Sequence, residues 1–279
     1  MIPTLFFGVF SRMVYYISAL GIRQLKHIFS MKRFKKSLAP LMLMAMVLFA
    51  ASCGKDDDPN QGGNNSGQND SIIDDSVIVQ VHDFVDLGLP SGTLWATCNV
   101  GATTPEGYGN YFAWGETEPK TTYNWSTYKY CNADYDQLTK YCSNSSYGYN
   151  GFTDNLTVLQ PSDDAAAASW GSGWCMPTME QWDELFQNTT YTWTTQNGVS
   201  GRLFTASNGR SLFLPAAGYR WDDELSSVGS NGYYWTGSLG TDYPNRTVNF
   251  GFNSGSCGMY YYYRCAGQSV RAVRSARQN

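Results

Sequence analysis

Pro177-Thr178-Met179-Glu180-Gln181-Trp182-Asp183-Glu184-Leu185-Phe186 is the stretch on which the fold class turns. Thr178 and Gln181 stand at the spacing of a capping box, in which each side chain bonds the backbone N–H of the other, with Pro177 just outside. Trp182, Leu185 and Phe186 follow at spacings of 3 and 4. Together they predict a helix over 179 to about 187 with one apolar stripe. Upstream, Ser162-Asp163-Asp164 reads as the cap of a second short helix, 165–169, with acids where the helix dipole favours them. Downstream of Thr190 the pattern is β throughout. Gly201–Ala206, Ser211–Ala216, Tyr233–Ser238, Thr247–Phe252, Met259–Cys265 and Ser269–Val273 are short strands separated by Gly, Asn and Ser turns. Val77–Val81, Phe84–Leu89, Thr93–Ala96 and Tyr111–Gly115 add strands before the helices, with Pro90-Ser91-Gly92 turning a hairpin. Two short helices beside many short antiparallel strands make an α+β domain over residues 79–275, with 276–279 as a tail.

The chain has 279 residues, of which 42% are hydrophobic and 15% charged, enough for one large domain. Its charge is uneven. Seven of the 19 Lys and Arg precede Cys53, where there is no acid, which leaves 12 cations against all 23 acids after it. A body at about −11 excludes nucleic acid as partner, since neutralising phosphates needs a basic surface. The histidines are His27 and His82, and a single histidine outside the leader argues against a His-rich zinc centre or a Ser–His–Asp triad.

Met31-Lys32-Arg33-Phe34-Lys35-Lys36 and the apolar run 38–50 read as a signal peptide over 31–52, since 13 apolar residues are too few to span a bilayer. Ala51-Ser52-Cys53 resembles a bacterial lipobox, which implies lipidation of Cys53; the alternative is an ordinary signal peptide with an incidental cysteine. Gly54-Lys55-Asp56-Asp57-Asp58 resembles the surface-export signal of lipoproteins in the Bacteroidota. Residues 53–78, rich in Asn, Gln, Gly, Ser and Asp, read as a flexible tether. Residues 1–30 hold a second apolar stretch broken by Arg12. They read as an upstream extension from a start codon called too early, with a membrane helix as the alternative, at a cost of about 2.5–3.5 kcal/mol for the central Arg.

Five motifs of the domain carry a family resemblance. These are 85–102 (Val-Asp-Leu-Gly-Leu-Pro-Ser-Gly-Thr-Leu-Trp-Ala-Thr-Cys-Asn-Val-Gly-Ala), Tyr108–Glu116, Asp163–Ala166, Trp174–Trp182 and Gly267–Arg274. In that order they resemble a large group of Bacteroides and Prevotella surface lipoproteins. That group is related to the Fibrobacter succinogenes major paralogous domain and, more distantly, to formylglycine-generating-enzyme-like domains. The resemblance implies a C-type-lectin-like fold; the group's function is mostly unassigned.

From Tyr233 to Arg274, framework-like residues alternate with Asn, Asp, Tyr, Ser and Gly. This interleaving resembles the variable segment of proteins diversified by retroelements on a lectin-like scaffold. It implies that Asp242, Tyr243, Asn245, Asn253, Ser256, Gly258, Tyr260, Tyr261, Tyr262 and Tyr263 face a ligand. Tyr offers large rigid contact area at low entropic cost, and Ser, Gly and Asn adapt their hydrogen bonds. On a strand, Tyr260 and Tyr262 share one face and Tyr261 and Tyr263 the other, so one pair should be exposed unless both sheet faces are covered. The alternative is an aromatic-rich sheet packing its own core.

Catalysis is not expected. The formylglycine-generating branch needs a reactive cysteine pair near the C-terminal strands, and Cys257 with Cys265 departs from its spacing, Tyr260 standing where a cysteine would be. Six cysteines remain beyond Cys53, and Cys131–Cys142 and Cys257–Cys265 are local disulfide candidates, the alternative being six free thiols. No zinc site is expected, because no Cys-x2-4-Cys pair exists. Calcium is the remaining cofactor candidate, at Asn132-Ala133-Asp134-Tyr135-Asp136, which lacks the Gly and distal Glu of an EF-hand loop. Glu118-Pro119-Lys120 only approximates the sugar-reading calcium motif, since an ammonium cannot ligate Ca²⁺. The expectation is a non-enzymatic, lipid-anchored protein of the outer membrane, exposed at the surface, that binds an extracellular protein or glycan. A formylglycine-generating-type oxidase and a structural envelope or fimbria-associated subunit are the alternatives.

Overall fold

The computed structural model describes residues 82–240 and 242–275. The upstream extension, signal peptide, Cys53, tether, Val77–Val81 strand and C-terminal tail lie outside the described residues.

Capping chemistry places the two helices. Helix α1 spans Ala165–Trp170, and its N-cap, Asp164, accepts from the N–H groups of Ala166 and Ala167 at 2.8 and 3.1 Å. Helix α2 spans Met179–Gln187, and both reciprocal bonds of the Thr178/Gln181 capping box are present. The strands are β1 (Phe84–Asp86), β2 (Thr93–Ala96), β3 (Tyr111–Phe112), β4 (Thr189–Gln196), β5 (Val199–Ala206), β6 (Ser211–Pro215), β7 (Tyr219–Trp221), β8 (Glu224–Ser226), β9 (Gly232–Leu239), β10 (Arg246–Phe252), β11 (Cys257–Tyr263), β12 (Gln268–Ser269) and β13 (Val273–Ser275). The α+β class is as read from the sequence.

Three departures have local causes. β4 was not expected as a strand; it pairs with β5 through a two-residue turn in which Asn197 and Gly198 take φ of 48° and 84°, the backbone an Asn-Gly hairpin turn needs. The first strand stops at Asp86, whose Oδ1 accepts from Gly88 N–H and turns the chain. The expected 269–273 strand is divided into β12 and β13, because Val270, Arg271 and Ala272 cross from one sheet to another.

The central sheet has the order β11-β10-β9-β12-β3, and smaller sheets are β1-β2-β13, β4-β5-β6 and β7-β8. Both faces of the central sheet are buried over β9 and β10. Tyr234 of β9, with Phe250 and Phe252 of β10, packs into a core with Trp182, Leu185, Trp95 and Phe204. Trp235, the next residue along β9, packs into a second core with Trp114, Tyr141, Tyr128 and Cys265. Successive strand residues point to opposite faces, so a sheet with two covers needs adjacent apolar residues, as Tyr234-Trp235 shows.

The quoted motifs build this frame. Arg271 is fully buried; its Nε donates to Asn99 Oδ1 at 2.9 Å and its Nη1 to the carbonyls of Ala96 and Thr97, joining the first and last motifs. Asp164 Oδ2 accepts from Met176 N–H at 2.8 Å, joining the third to the fourth. Asp163 is buried and accepts from Tyr130 and Tyr141 hydroxyls at 2.6 and 2.7 Å and from Lys140 Nζ at 2.6 Å. Burial pushes its carboxyl pKa up, but those bonds and the Lys140 charge outweigh burial and hold it below the ordinary aspartate value. A lowered folded-state pKa contributes stability above the unfolded value, and that stability disappears as pH falls through the folded value. Asp163→Asn should therefore lower the denaturation midpoint at neutral pH and flatten its fall as the pH drops through and below the ordinary aspartate range. Parallel acid limbs for the two proteins would refute this.

Candidate functional site

At one end of the central sheet lies an open cleft of about 430 Å³. Tyr243 and Asn245 enter it from the β9–β10 loop, Arg246 from the start of β10, Tyr263 from the end of β11 and Trp221 from the end of β7. Trp125, Tyr135 and Tyr147 close it from the irregular segment between β3 and α1.

Hydrogen bonds lock the walls together. Asp222, at φ 52° in the β7–β8 turn, exchanges backbone bonds with Tyr123 at 2.7 and 2.9 Å, and its Oδ1 accepts from Asn124 Nδ2 at 2.8 Å. Asn124 in turn caps the short 3-10 turn Trp125–Thr127, so the two tryptophan walls are tied through one aspartate. Leu138 exchanges backbone bonds with Tyr147 and Tyr149, both at 2.8 Å, which holds the third wall.

Arg264 clamps the floor. It is fully buried, and its Nη1 donates to Tyr141 O and Pro244 O at 2.9 Å each, its Nη2 to Lys140 O at 3.0 Å and its Nε to the Tyr128 hydroxyl at 2.9 Å. Its guanidinium lies over the rings of Trp114 and Tyr128, 5.1 and 5.3 Å from their centroids. One side chain therefore fixes the loop that carries Tyr243 and Asn245 to the segment that leads to Tyr147.

Inside the cleft, Arg246 sits over the rings of Tyr263 and Tyr243 at 4.8 and 5.8 Å, and its Nη2 donates to the Tyr263 hydroxyl at 3.2 Å. Among the described residues no carboxylate forms an ion pair with it. Asn245 is 6% exposed, and its Oδ1 is buried without a hydrogen-bond partner.

The ten residues expected to face a ligand do not form one surface. Tyr243, Asn245 and Tyr263 meet in the cleft, with exposed Asp242 on the same loop. Asn253 and Ser256 lie at the far end of the β10–β11 hairpin, where Asn253 Oδ1 accepts from Gly255 and Ser256 N–H and its carbonyl takes two bonds from Arg202. Gly258 is partly buried close to that turn. These positions differ in burial. Asn245 is floor rather than surface, and Tyr262 and Tyr263 are partly buried, whereas Tyr260 and Tyr261 are exposed at 46% and 56%. Exposure along β11 thus follows position and not strand face. Tyr219 and Tyr233 pack on Tyr262, and Trp125 and Trp221 on Tyr263, while nothing comparable covers the middle of this edge strand.

The cysteine candidates are also corrected. All six cysteines among the described residues are free thiols. Cys257 opens β11 and Cys265 lies two residues past its end, so the six extended steps from Cys257 to Tyr263 alone carry the chain roughly 20 Å at about 3.3 Å per residue. Cys131 Sγ donates to Trp125 O and Cys142 Sγ to Asn144 O, both at 3.1 Å, so the two thiols bond different segments. Burial pushes the Cys257 and Cys265 thiols up, away from the thiolate form that nucleophilic chemistry needs.

At the calcium candidate, Asp134 Oδ1 accepts from Tyr135 N–H at 2.7 Å and Asp136 bonds Gln137, so both carboxylates shape the loop that carries Tyr135. Among the described residues no three His, Cys, Asp or Glu side chains gather as a metal site. A second cleft, of about 500 Å³, adjoins the stacked rings of His82 and Trp170 and includes Cys98; it holds none of the ten expected residues.

Trp125, Tyr135, Tyr147 and Trp221 were not foreseen as site residues. The only sequence signal for them is the capping pattern of Asn124-Trp125-Ser126-Thr127, which places a large aromatic on a short exposed turn. Comparison of the chain with protein-family models, curated proteins and solved structures finds no match.

Proposed function

We propose that the chain is a lipid-anchored outer-membrane protein, exposed at the cell surface, whose lectin-like domain presents the aromatic cleft beside β11 to an extracellular protein or glycan. The cleft carries the reading. Six of its eight lining residues are Tyr or Trp, rings that combine large contact area with a polar edge, and it contains an unpaired guanidinium. The reading requires neither a cofactor nor a catalytic group. The separation of Cys257 from Cys265 weighs against cysteine oxidation.

Two variants of the full chain, purified from detergent-solubilised membranes, test it on glycan and peptide arrays. The double variant Trp221→Ala/Tyr243→Ala should lose at least about tenfold in affinity, the scale of two truncated aromatic anchors. Tyr260→Ala/Tyr261→Ala should lose less than about threefold, because those rings stand outside the cleft. The opposite order of effects would move the recognition face to the open strand. The anchor is tested separately: Cys53→Ala should abolish incorporation of labelled palmitate and release the protein from the membrane fraction. Undiminished labelling would refute lipidation at this position.

A second reading has one observation in its favour. β11 is an edge strand, and unpaired edge groups can accept a strand from a neighbouring copy, as a fimbria-associated subunit would. Such a protein should purify as polymers rather than as a monomer.

A further inference from the structure

We propose that the cleft selects an acidic saccharide, a pyranose ring bearing a carboxylate; this rests on the reading of the cleft as the recognition site and narrows its ligand. Four observations lead there. Among the described residues the walls are aromatic and hold no Val, Leu, Ile or Met, so they match the flat C–H face of a sugar ring, whose polarised hydrogens meet the negative face of a π-system, better than they match an aliphatic peptide side chain. Several of those walls are phenols, and their hydroxyls can exchange hydrogen bonds with ring hydroxyls. Arg246 offers a planar fork of donors already oriented by Tyr243 and Tyr263, and no carboxylate of the described residues occupies it. Asn245 lines the floor of the same cleft, and its Oδ1 is a buried acceptor to which the described residues supply no donor, an unmatched polar group next to the ligand site.

These groups divide the work. The aromatic walls hold the ring and set its orientation but do not distinguish neutral from acidic sugars. Arg246 supplies that distinction, because a carboxylate bound to it replaces water at the one cation that lines the cleft among the described residues. Asp134, Asp136, Asp222 and Asp242 stand beside the lining residues, but among the described residues none of them forms an ion pair with Arg246, so its donor fork stays open to a ligand carboxylate. At about 430 Å³ the cleft takes a short oligosaccharide segment rather than a single small ion.

The experiment uses the full chain purified in detergent and three probes: trigalacturonic acid, the corresponding neutral galactotriose, and an N-acetylated tripeptide with a free carboxylate. Binding is read by calorimetry and by tryptophan fluorescence, because Trp125 and Trp221 line the cleft. Trigalacturonic acid should bind at least tenfold more tightly than the neutral trimer. Arg246→Gln should erase that preference while leaving the neutral trimer's affinity within threefold, and Arg246→Lys should retain part of it. Melting temperatures of both variants identify a folding defect, and the comparison of acidic with neutral trimer on the unaltered chain remains decisive in that case. Equal affinity for the two trimers overturns the acidic assignment but leaves the cleft reading standing. So does capture of the tripeptide alone if Trp221→Ala abolishes it. Sugar binding untouched by Trp221→Ala/Tyr243→Ala overturns both.

Discussion

Arg264→Met should cost about 3–5 kcal/mol of folding stability, the scale of several buried acceptors left unpaired at about 1–3 kcal/mol each, less what desolvating the guanidinium had cost. The substitution removes four donor contacts at once and strands the carbonyls of Lys140, Tyr141 and Pro244. Methionine keeps the apolar stem against Trp114 and Tyr128, so the loss belongs mainly to the hydrogen bonds. Arg264→Lys should recover little, because one ammonium cannot span acceptors on three segments. Denaturant titration with an unchanged slope gives the number, and a loss under about 1 kcal/mol would show that the clamp is dispensable. The functional consequence should exceed the stability change. With Pro244 released from Lys140 and Tyr141, the loop bearing Tyr243 and Asn245 no longer has a fixed position, and ligand capture should fail even in molecules that remain folded.

Trp182→Ala should be comparably severe, at about 3–5 kcal/mol. The indole stacks on Phe250 at 4.7 Å with 7° between planes, meets Trp95 edge-on at 4.7 Å and is fully buried, so alanine leaves a cavity beneath the central sheet. Its Nε1 is buried without a hydrogen-bond partner. Trp182→Phe therefore loses volume but no hydrogen bond and should cost much less than the alanine variant. Equal costs for the two would mean that the indole N–H holds a partner after all. Out of a total stability of about 5–15 kcal/mol, either of the two severe losses brings the domain near its unfolding threshold at physiological temperature.

Trp182 also shows how far the sequence could be read. Its place on an apolar stripe, its helix and the capping box that starts the helix are all local in origin, set by spacings of 3 and 4 and by a Thr–Gln exchange. Thr93–Ala96, read from a turn followed by a strand, is local in the same sense. Arg264 belongs to the other kind of residue. As a lone cation beside four tyrosines it resembles a surface residue of the hairpin, and nothing near it in the chain supplies its acceptors, which come from Tyr128, Lys140, Tyr141 and Pro244.

The amino-acid order by itself determined the two helices, most of the strands, the α+β class and the aromatic character of the C-terminal hairpin, because capping, alternation and turn chemistry act over a few residues. The cleft was decided only when the chain folded. Trp125 and Trp221 are nearly a hundred residues apart and meet through Asp222, and Tyr262 and Tyr263 are covered while Tyr260 and Tyr261 stay open because a distant hairpin and a short turn reach only one end of β11. Strand periodicity sets which face a side chain takes. What lies over that face depends on contacts between segments far apart in sequence, and no local pattern encodes them.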